Sequence, residues 1–224
     1  MKLKHFLQLI ILFLFSLYFS SVALAAEFSA DEARTWADNK GKEILEIMTS
    51  VDTSHKTEQL DKLLYEDVDL EYAAKFVIGK YWKKMTDTQK NKYLQIFKNY
   101  TSALYKSYPL SLDKGAVTYT IDKVVSDKDS QYVHCTIFID AVEKKVDQNS
   151  QGGVKVIFRL VKNNEKIQVR DLQITETSFL LAYRERFYKM LHDDDDDIDW
   201  FLEDLEQTTA DMEAENLKVS EQPE

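Results

Sequence analysis

Apolar positions recur three and four apart in the first half of the chain and every second residue in its middle. Ser29-Ala30-Asp31-Glu32 has the form of a capping box, in which Ser29 and Glu32 satisfy free amides at a helix start. Ala33, Trp36, Ala37, Ile44, Leu45 and Met48 follow at near-helical spacing and predict an amphipathic helix to about Ser50. A shorter helix over Thr57 to Tyr65 presents Leu60, Leu63 and Leu64 on one face. Both read as scaffold. The stretch from Leu70 to Tyr108 is richer. Leu70, Ala73, Phe76 and Val77 form a stripe that ends at Gly79, a natural helix C-cap, with Tyr81 and Trp82 just beyond. Thr86-Asp87-Thr88-Gln89 is a second capping box, Tyr93, Leu94, Phe97, Tyr100, Leu104 and Tyr105 form the inward face of a long helix, and Pro109 stops it.

After Gly115 the period changes to two. Val117, Tyr119 and Ile121, then Val133, Cys135, Ile137 and Ile139, predict two antiparallel strands around a turn at Ser126 to Ser130. Gly152-Gly153 precedes a third strand in which Val154, Val156, Phe158 and Leu160 alternate with Lys155 and Arg159, and Asn163-Asn164-Glu165 turns it into a fourth. Ile167 and Val169 share one parity and Leu172 and Ile174 the other, which predicts a bulge near Arg170. Ser178 opens another helix with Phe179, Leu180, Tyr183, Phe187 and Leu191 on its face, and a last helix carries Ile198, Phe201, Leu202 and Leu205. Helices, a four-stranded meander and helices again predict an α+β domain, a four-stranded antiparallel sheet with the helices packed on one face. The polar segment 210–224 is expected to fray as a disordered tail.

The large apolar side chains between Leu70 and Tyr108 outnumber what two surface helices need. They either fill a solid core or wall a space for a guest molecule, and helical spacing by itself favours the solid core.

Composition narrows the class. Only 5 Gly and 2 Pro in 224 residues leave few places for an interdomain linker, and 44% hydrophobic with 12% aromatic residues is ample for one core. Residues 1–25 have the form of a cleaved signal peptide: Lys2 and Lys4, an apolar run from Phe6 to Phe19, and Ala23-Leu24-Ala25 before Ala26. An uncleaved anchor is the other reading, since the apolar run approaches spanning length, but the small-residue site and the polar sequence after it favour export. Cys135 is the single cysteine, so the fold has no intramolecular disulfide, which together with the signal favours a bacterial periplasm. Removing Lys2 and Lys4 takes the formal charge from −10 to about −12, and that balance disfavours nucleic acid as a partner.

The catalytic inventory is thin. His134 and Cys135 are strand neighbours and point to opposite faces, so they form no dyad with each other. No zinc-protease, nucleophile-elbow or phosphate-loop motif is present. The run Asp193 to Asp197 lacks the glycine and distal glutamate of a calcium loop and reads as a linker entering the last helix, whose dipole favours acidic residues there. The expectation is a non-enzyme with no catalytic residue, metal site or cofactor.

The order of motifs carries a resemblance. Leu70-Glu71-Tyr72-Ala73-Ala74-Lys75-Phe76-Val77-Ile78-Gly79-Lys80-Tyr81-Trp82, then Thr86-Asp87-Thr88-Gln89-Lys90 and Phe97-Lys98-Asn99-Tyr100, are similar to the helix signature of the MlaC family of periplasmic phospholipid carriers, also called the toluene-tolerance family. Asp87 replaces the family's usual proline, Ile167-Gln168-Val169-Arg170-Asp171 keeps only the aspartate of its fourth-strand motif, and Glu176-Thr177-Ser178 replaces Gly-Val-Ser. The resemblance extends over most of the chain after the signal and defines a lipid-binding domain over 26–209.

The resemblance implies an apolar cavity enclosed by sheet and helices. The chain would then be a monomeric carrier that takes diacyl phospholipid as cargo between an outer-membrane lipoprotein complex and an inner-membrane substrate-binding and ABC transporter complex, maintaining outer-membrane lipid asymmetry. Shelter is physically necessary for such cargo: at about 0.8 kcal/mol per methylene, some 30 methylenes represent roughly 24 kcal/mol of unfavourable water exposure. On this reading Phe76, Val77, Tyr81, Tyr100, Tyr105, Val156, Phe158 and Phe179 line the lipid tails, with Lys155 or Arg159 near the phosphate. The rival reading is an exported interaction or assembly factor with a solid core. A third is a small-molecule enzyme of similar α+β shape.

Overall fold

A computed structural model of the protein describes residues 28–51, 55–108, 112–139 and 153–220; the expected signal peptide, Pro109 and the last four residues lie outside them. Helix α1 spans Ala30–Met48, α2 Lys56–Asp67 and α3 Leu70–Ile78. A 3₁₀ turn at Gly79–Lys83 leads to α4, Asp87–Lys106. Strands β1 (Val117–Asp127), β2 (Ser130–Ile139), β3 (Val154–Asn163) and β4 (Lys166–Ile174) are followed by a two-residue β5 (Thr177–Ser178), then α5 (Phe179–Asp193) and α6 (Ile198–Ser220).

Local chemistry sets most of these boundaries. Ser29 Oγ accepts from the Glu32 amide at 3.1 Å. Thr86 and Gln89 close a full reciprocal box, with Thr86 Oγ1 accepting from Gln89 N at 3.2 Å and Gln89 Oε1 from Thr86 N at 2.9 Å. Asp69 caps α3, Ser178 caps α5, and Asp197 Oδ1 accepts from the amides of Asp199 and Trp200 at the start of α6. The aspartate run therefore ends α5, turns, and opens α6, as a linker should.

The sheet is antiparallel in the order β1-β2-β3-β4-β5, so it has five strands where the sequence pattern predicts four. The fifth is added by a two-residue hairpin whose turn residues, Thr175 and Glu176, both take positive φ (48° and 69°). Neither residue is a glycine or asparagine, so the turn carries no signal of its own, whereas Asn164 at the β3–β4 turn does. Arg170 is the extra residue opposite the Arg159/Leu160 step of β3, and this bulge keeps Ile167, Val169, Leu172 and Ile174 in register with one face of β3. A second bulge at Asp122 does the same for Ile121 and Val124 in β1.

The last helix runs to Ser220, eleven residues past the expected fraying point at Thr209. Its continuation has tertiary support: Met212 packs against the helical core and Asn216 Nδ2 donates to the Ala103 carbonyl at 2.8 Å.

Among the described residues two apolar clusters form rather than one. The helical cluster joins α3, α4, α5 and α6 around Tyr93, Phe97, Phe187 and Phe201, whose rings stand 5.7 to 6.4 Å apart. The sheet cluster places Ala33, Trp36 and Ala37 of α1 on the face carrying Val133, Cys135, Phe158 and Leu160. Arg34 to the Ile121 carbonyl (3.0 Å), Tyr119 to the Asp38 carbonyl (2.9 Å) and Lys162 to Glu32 (3.0 Å) tie α1 to the sheet, so it belongs to that body and not to the helical one.

Candidate functional site

Between these two clusters lies a pocket of about 470 Å³. From the helical side it is lined by Leu70, Ala73 and Val77 of α3, Phe97, Tyr100 and Leu104 of α4, and Phe179, Leu180 and Tyr183 of α5. From the sheet side come Trp36, Ala37, Ile44 and Leu45 of α1, Tyr119, Cys135 and Phe158, and Leu63 of α2 completes the wall. The surface is almost wholly apolar. It exists because each body closes its own core with large aromatics, while the facing side chains between them are often small: Ala37, Gly41, Ala73.

The expected lining residues divide evenly. Val77, Tyr100, Phe158 and Phe179 line the pocket; Phe76, Tyr81, Tyr105 and Val156 do not. Phe76 lies under the Arg184 guanidinium, 3.8 Å from its ring centre. Tyr81 packs edge-on to Tyr188 at 5.4 Å and donates its hydroxyl to Asp196. Tyr105 donates to Asp61 at 2.8 Å, fastening α4 to α2. Val156 is buried among its sheet neighbours, opposite Cys135 and Ile174. Helical spacing names a stripe, but a stripe about 100° wide has a flank on each side, where Phe76 and Tyr105 sit, while Tyr81 lies in the 3₁₀ turn beyond α3. Lys155 and Arg159 also lie away from the pocket: strand alternation puts them on the other sheet face, where Lys155 reaches Asp122 at 3.4 Å and Arg159 donates to Ser130 Oγ at 3.0 Å.

What sequence reasoning missed is α1, read as scaffold and in fact a wall of the pocket. The signal was Gly41. A glycine inside a helix costs up to about 1 kcal/mol relative to alanine, so it marks a close approach. A Cβ there would stand 2.8 Å from the Tyr119 ring and hydroxyl.

Electrostatics keep the interior neutral. Burial pushes the Cys135 thiol up to about 11, so it is a protonated, inert lining group. Burial, with the neighbouring Tyr100 and Tyr108, raises Tyr183 to about 12. Tyr100 is closed from solvent, is raised by burial, and its hydroxyl finds no hydrogen-bond partner among the described residues. Charged lining groups are Lys40, Asp67, Arg170 and Asp171. Lys40 Nζ sits 2.8 Å from Asp67 Oδ2 and 2.9 Å from Glu43; the Asp67 contact is off the hydrogen-bonding direction and is an ion pair only. Burial works against the Lys40 charge, but the two carboxylates outweigh it and hold the ammonium above its ordinary value. No grouping of His, Cys, Asp and Glu suited to a metal ion occurs among the described residues, and no helix among them is long and apolar enough to cross a membrane.

Comparison with known proteins adds two findings. The sequence model of the family described as "MlaC protein" matches residues 39–207. A phospholipid-binding protein from Ralstonia solanacearum, solved with a bound phospholipid at 1.53 Å, superposes with a TM-score of 0.62 over 80% of this chain and 97% of its own. At 14% identity that likeness is one of fold. No curated protein matches the sequence.

Proposed function

Because the chain belongs to the MlaC family, we propose that it is a periplasmic carrier of diacyl phospholipid, exported by the signal at residues 1–25. The observation that carries this reading is the apolar pocket between two separately closed cores, of a size within the roughly 300 to 1,000 Å³ of ordinary ligand sites. A solid-core assembly factor has no use for such a space, and the charged residues of the lining are held in ion pairs or hydrogen bonds, which supports binding over catalysis. The phospholipid held by the structural neighbour supports the same cargo class.

In this role Val77, Tyr100, Phe158 and Phe179, with Trp36, Ala37 and Leu45 of α1, contact acyl chains, and binding is driven by apolar area. Cargo passes between the outer-membrane lipoprotein complex and the inner-membrane substrate-binding and ABC transporter complex, with a net effect on outer-membrane lipid asymmetry. No step in this cycle needs a catalytic group or a cofactor.

The test is native mass spectrometry of protein purified without detergent. The expected result is an adduct of diacyl-phospholipid mass in the parent protein and its loss in Ala37→Trp, which puts an indole into the pocket from a half-buried position. Lipid-free protein in every preparation, or full loading of Ala37→Trp, overturns the proposal.

A further inference from the structure

We propose that the pocket selects lipid by headgroup charge, favouring a zwitterionic phosphate–ammonium head over one of net negative charge; this rests on the carrier reading above. The charged lining residues fall on one side of the pocket. Asp67 meets Lys40 at 2.8 Å and Asp171 follows Arg170 in β4, while Asp69, just behind the lining and two residues after Asp67, meets Arg170 at 3.3 Å. The side chains of Lys40, Asp67, Asp69 and Arg170 keep 26%, 16%, 16% and 15% exposure, so they mark a margin where the apolar interior meets water. Ala73, Val77 and Tyr100, by contrast, are closed off. A lipid with its tails among those residues presents its head to a strip that reads plus, minus, minus, plus.

Every cation in that strip is already matched or outnumbered. Lys40 also touches Glu43 at 2.9 Å, and Arg170 also faces Asp129 at 3.5 Å. Asp171 is held by the amides of Leu172 and Leu180 and by the Ser178 hydroxyl. An anionic head is neutralised only by drawing a cation off its carboxylate, which strands that half-buried carboxylate beside the phosphate. A zwitterionic head exchanges both partners at once: its phosphate takes Lys40, its ammonium takes Asp67, and no charge is left alone. Lys40 is the exchangeable cation, being a point charge on a flexible stem, whereas Arg170 is aimed by its bulge and stacked 4.4 Å over Tyr72. The net charge of about −12 left once Lys2 and Lys4 go with the signal acts in the same direction at longer range.

The experiment equilibrates detergent-free protein with vesicles of equal phosphatidylethanolamine and phosphatidylglycerol, re-isolates it, and quantifies bound lipid by mass spectrometry. The expected result is a zwitterionic excess of at least about fivefold, the strength of one charge contact at about 4 Å in bulk water. Asp67→Asn should lower it severalfold, and Glu43→Gln, at an exposed position where folding is not at stake, should move it the same way. Glu206→Gln, a surface carboxylate paired with Lys92, should move it far less than Glu43→Gln and so separates local from net charge. Lipid bound in vesicle proportions, phosphatidylglycerol enrichment, or Asp67 and Glu43 variants that match Glu206→Gln overturn the proposal. Absence of any bound lipid overturns instead the carrier reading beneath it.

Discussion

Replacing Tyr93 and Tyr100 separately by phenylalanine should shift stability in opposite directions, although both are buried tyrosines on α4, two turns apart. Tyr93 is fully closed and donates its hydroxyl to the Ala74 carbonyl at 2.9 Å, across to α3. Tyr100 is 1% exposed, lines the pocket, and has no partner for its hydroxyl among the described residues. A made hydrogen bond is worth about 0.5 to 1.5 kcal/mol net, and a stranded buried hydroxyl costs about 1 to 3 kcal/mol. Tyr93→Phe should therefore lose about 1 kcal/mol and Tyr100→Phe gain about 1 to 2 kcal/mol, a separation of about 2 to 3 kcal/mol. For a domain of this size that is roughly 4 to 12 °C in Tm. Thermal and urea unfolding of delipidated protein measures it, with unchanged urea m-values confirming that the native and unfolded states stay comparable. A Tyr100→Phe variant as destabilised as Tyr93→Phe would refute the reasoning, because it would mean that the hydroxyl is satisfied in solution and the empty pocket is wet.

Two further outcomes follow from geometry and charge. Gly79 has φ +52° and ψ −117°, and a Cβ there would stand 2.3 Å from the Tyr188 hydroxyl, which accepts from Lys80 N; Gly79→Ala should cost about 2 to 4 kcal/mol in urea unfolding. Gly115→Ala, at φ +87° with no atom within 4 Å, carries only the backbone strain of about 1 kcal/mol, and equal losses at the two sites would count against the packing argument. At alkaline pH, Tyr81 is raised to about 12 by its bond to Asp196 and by burial, Tyr119 and Tyr183 to about 12 mainly by burial, and Tyr93 well upward by burial. Raised folded values mean that the stabilisation is complete below the unfolded tyrosine value near 10 and is lost as pH rises toward 12. Tyrosinate absorbance should therefore appear together with unfolding, and simple titration of all tyrosines near pH 10 with the fold intact would contradict the burial described here.

The helix starts at Ser29, Thr86 and Ser178, the stop at Gly79 and the bulge at Arg170 were all legible in the amino-acid order. Each depends on groups within about four residues of one another or on the parity of a single strand. The fifth strand was not legible, since Thr175 and Glu176 adopt left-handed conformations under the pull of strand pairing and not from any preference of their own. The persistence of α6 to Ser220 escaped for the same reason: Asn216 is polar, and only the Ala103 carbonyl of a distant helix gives it a helical role.

The candidate site shows the division most sharply. Sequence alone determined that the chain has an aromatic-rich helical stretch, capped at both ends, in the motif order of the MlaC family, because caps and periodicity are local. Only the tertiary structure decided that Tyr93, Phe97, Phe187 and Phe201 close one core, that α1 rides on the sheet to close another, and that Val77, Tyr100, Phe158 and Phe179 face the space between. That choice depends on which large side chain fills which volume, and the partners that settle it lie as far apart in the chain as Ala37, Tyr100 and Phe179.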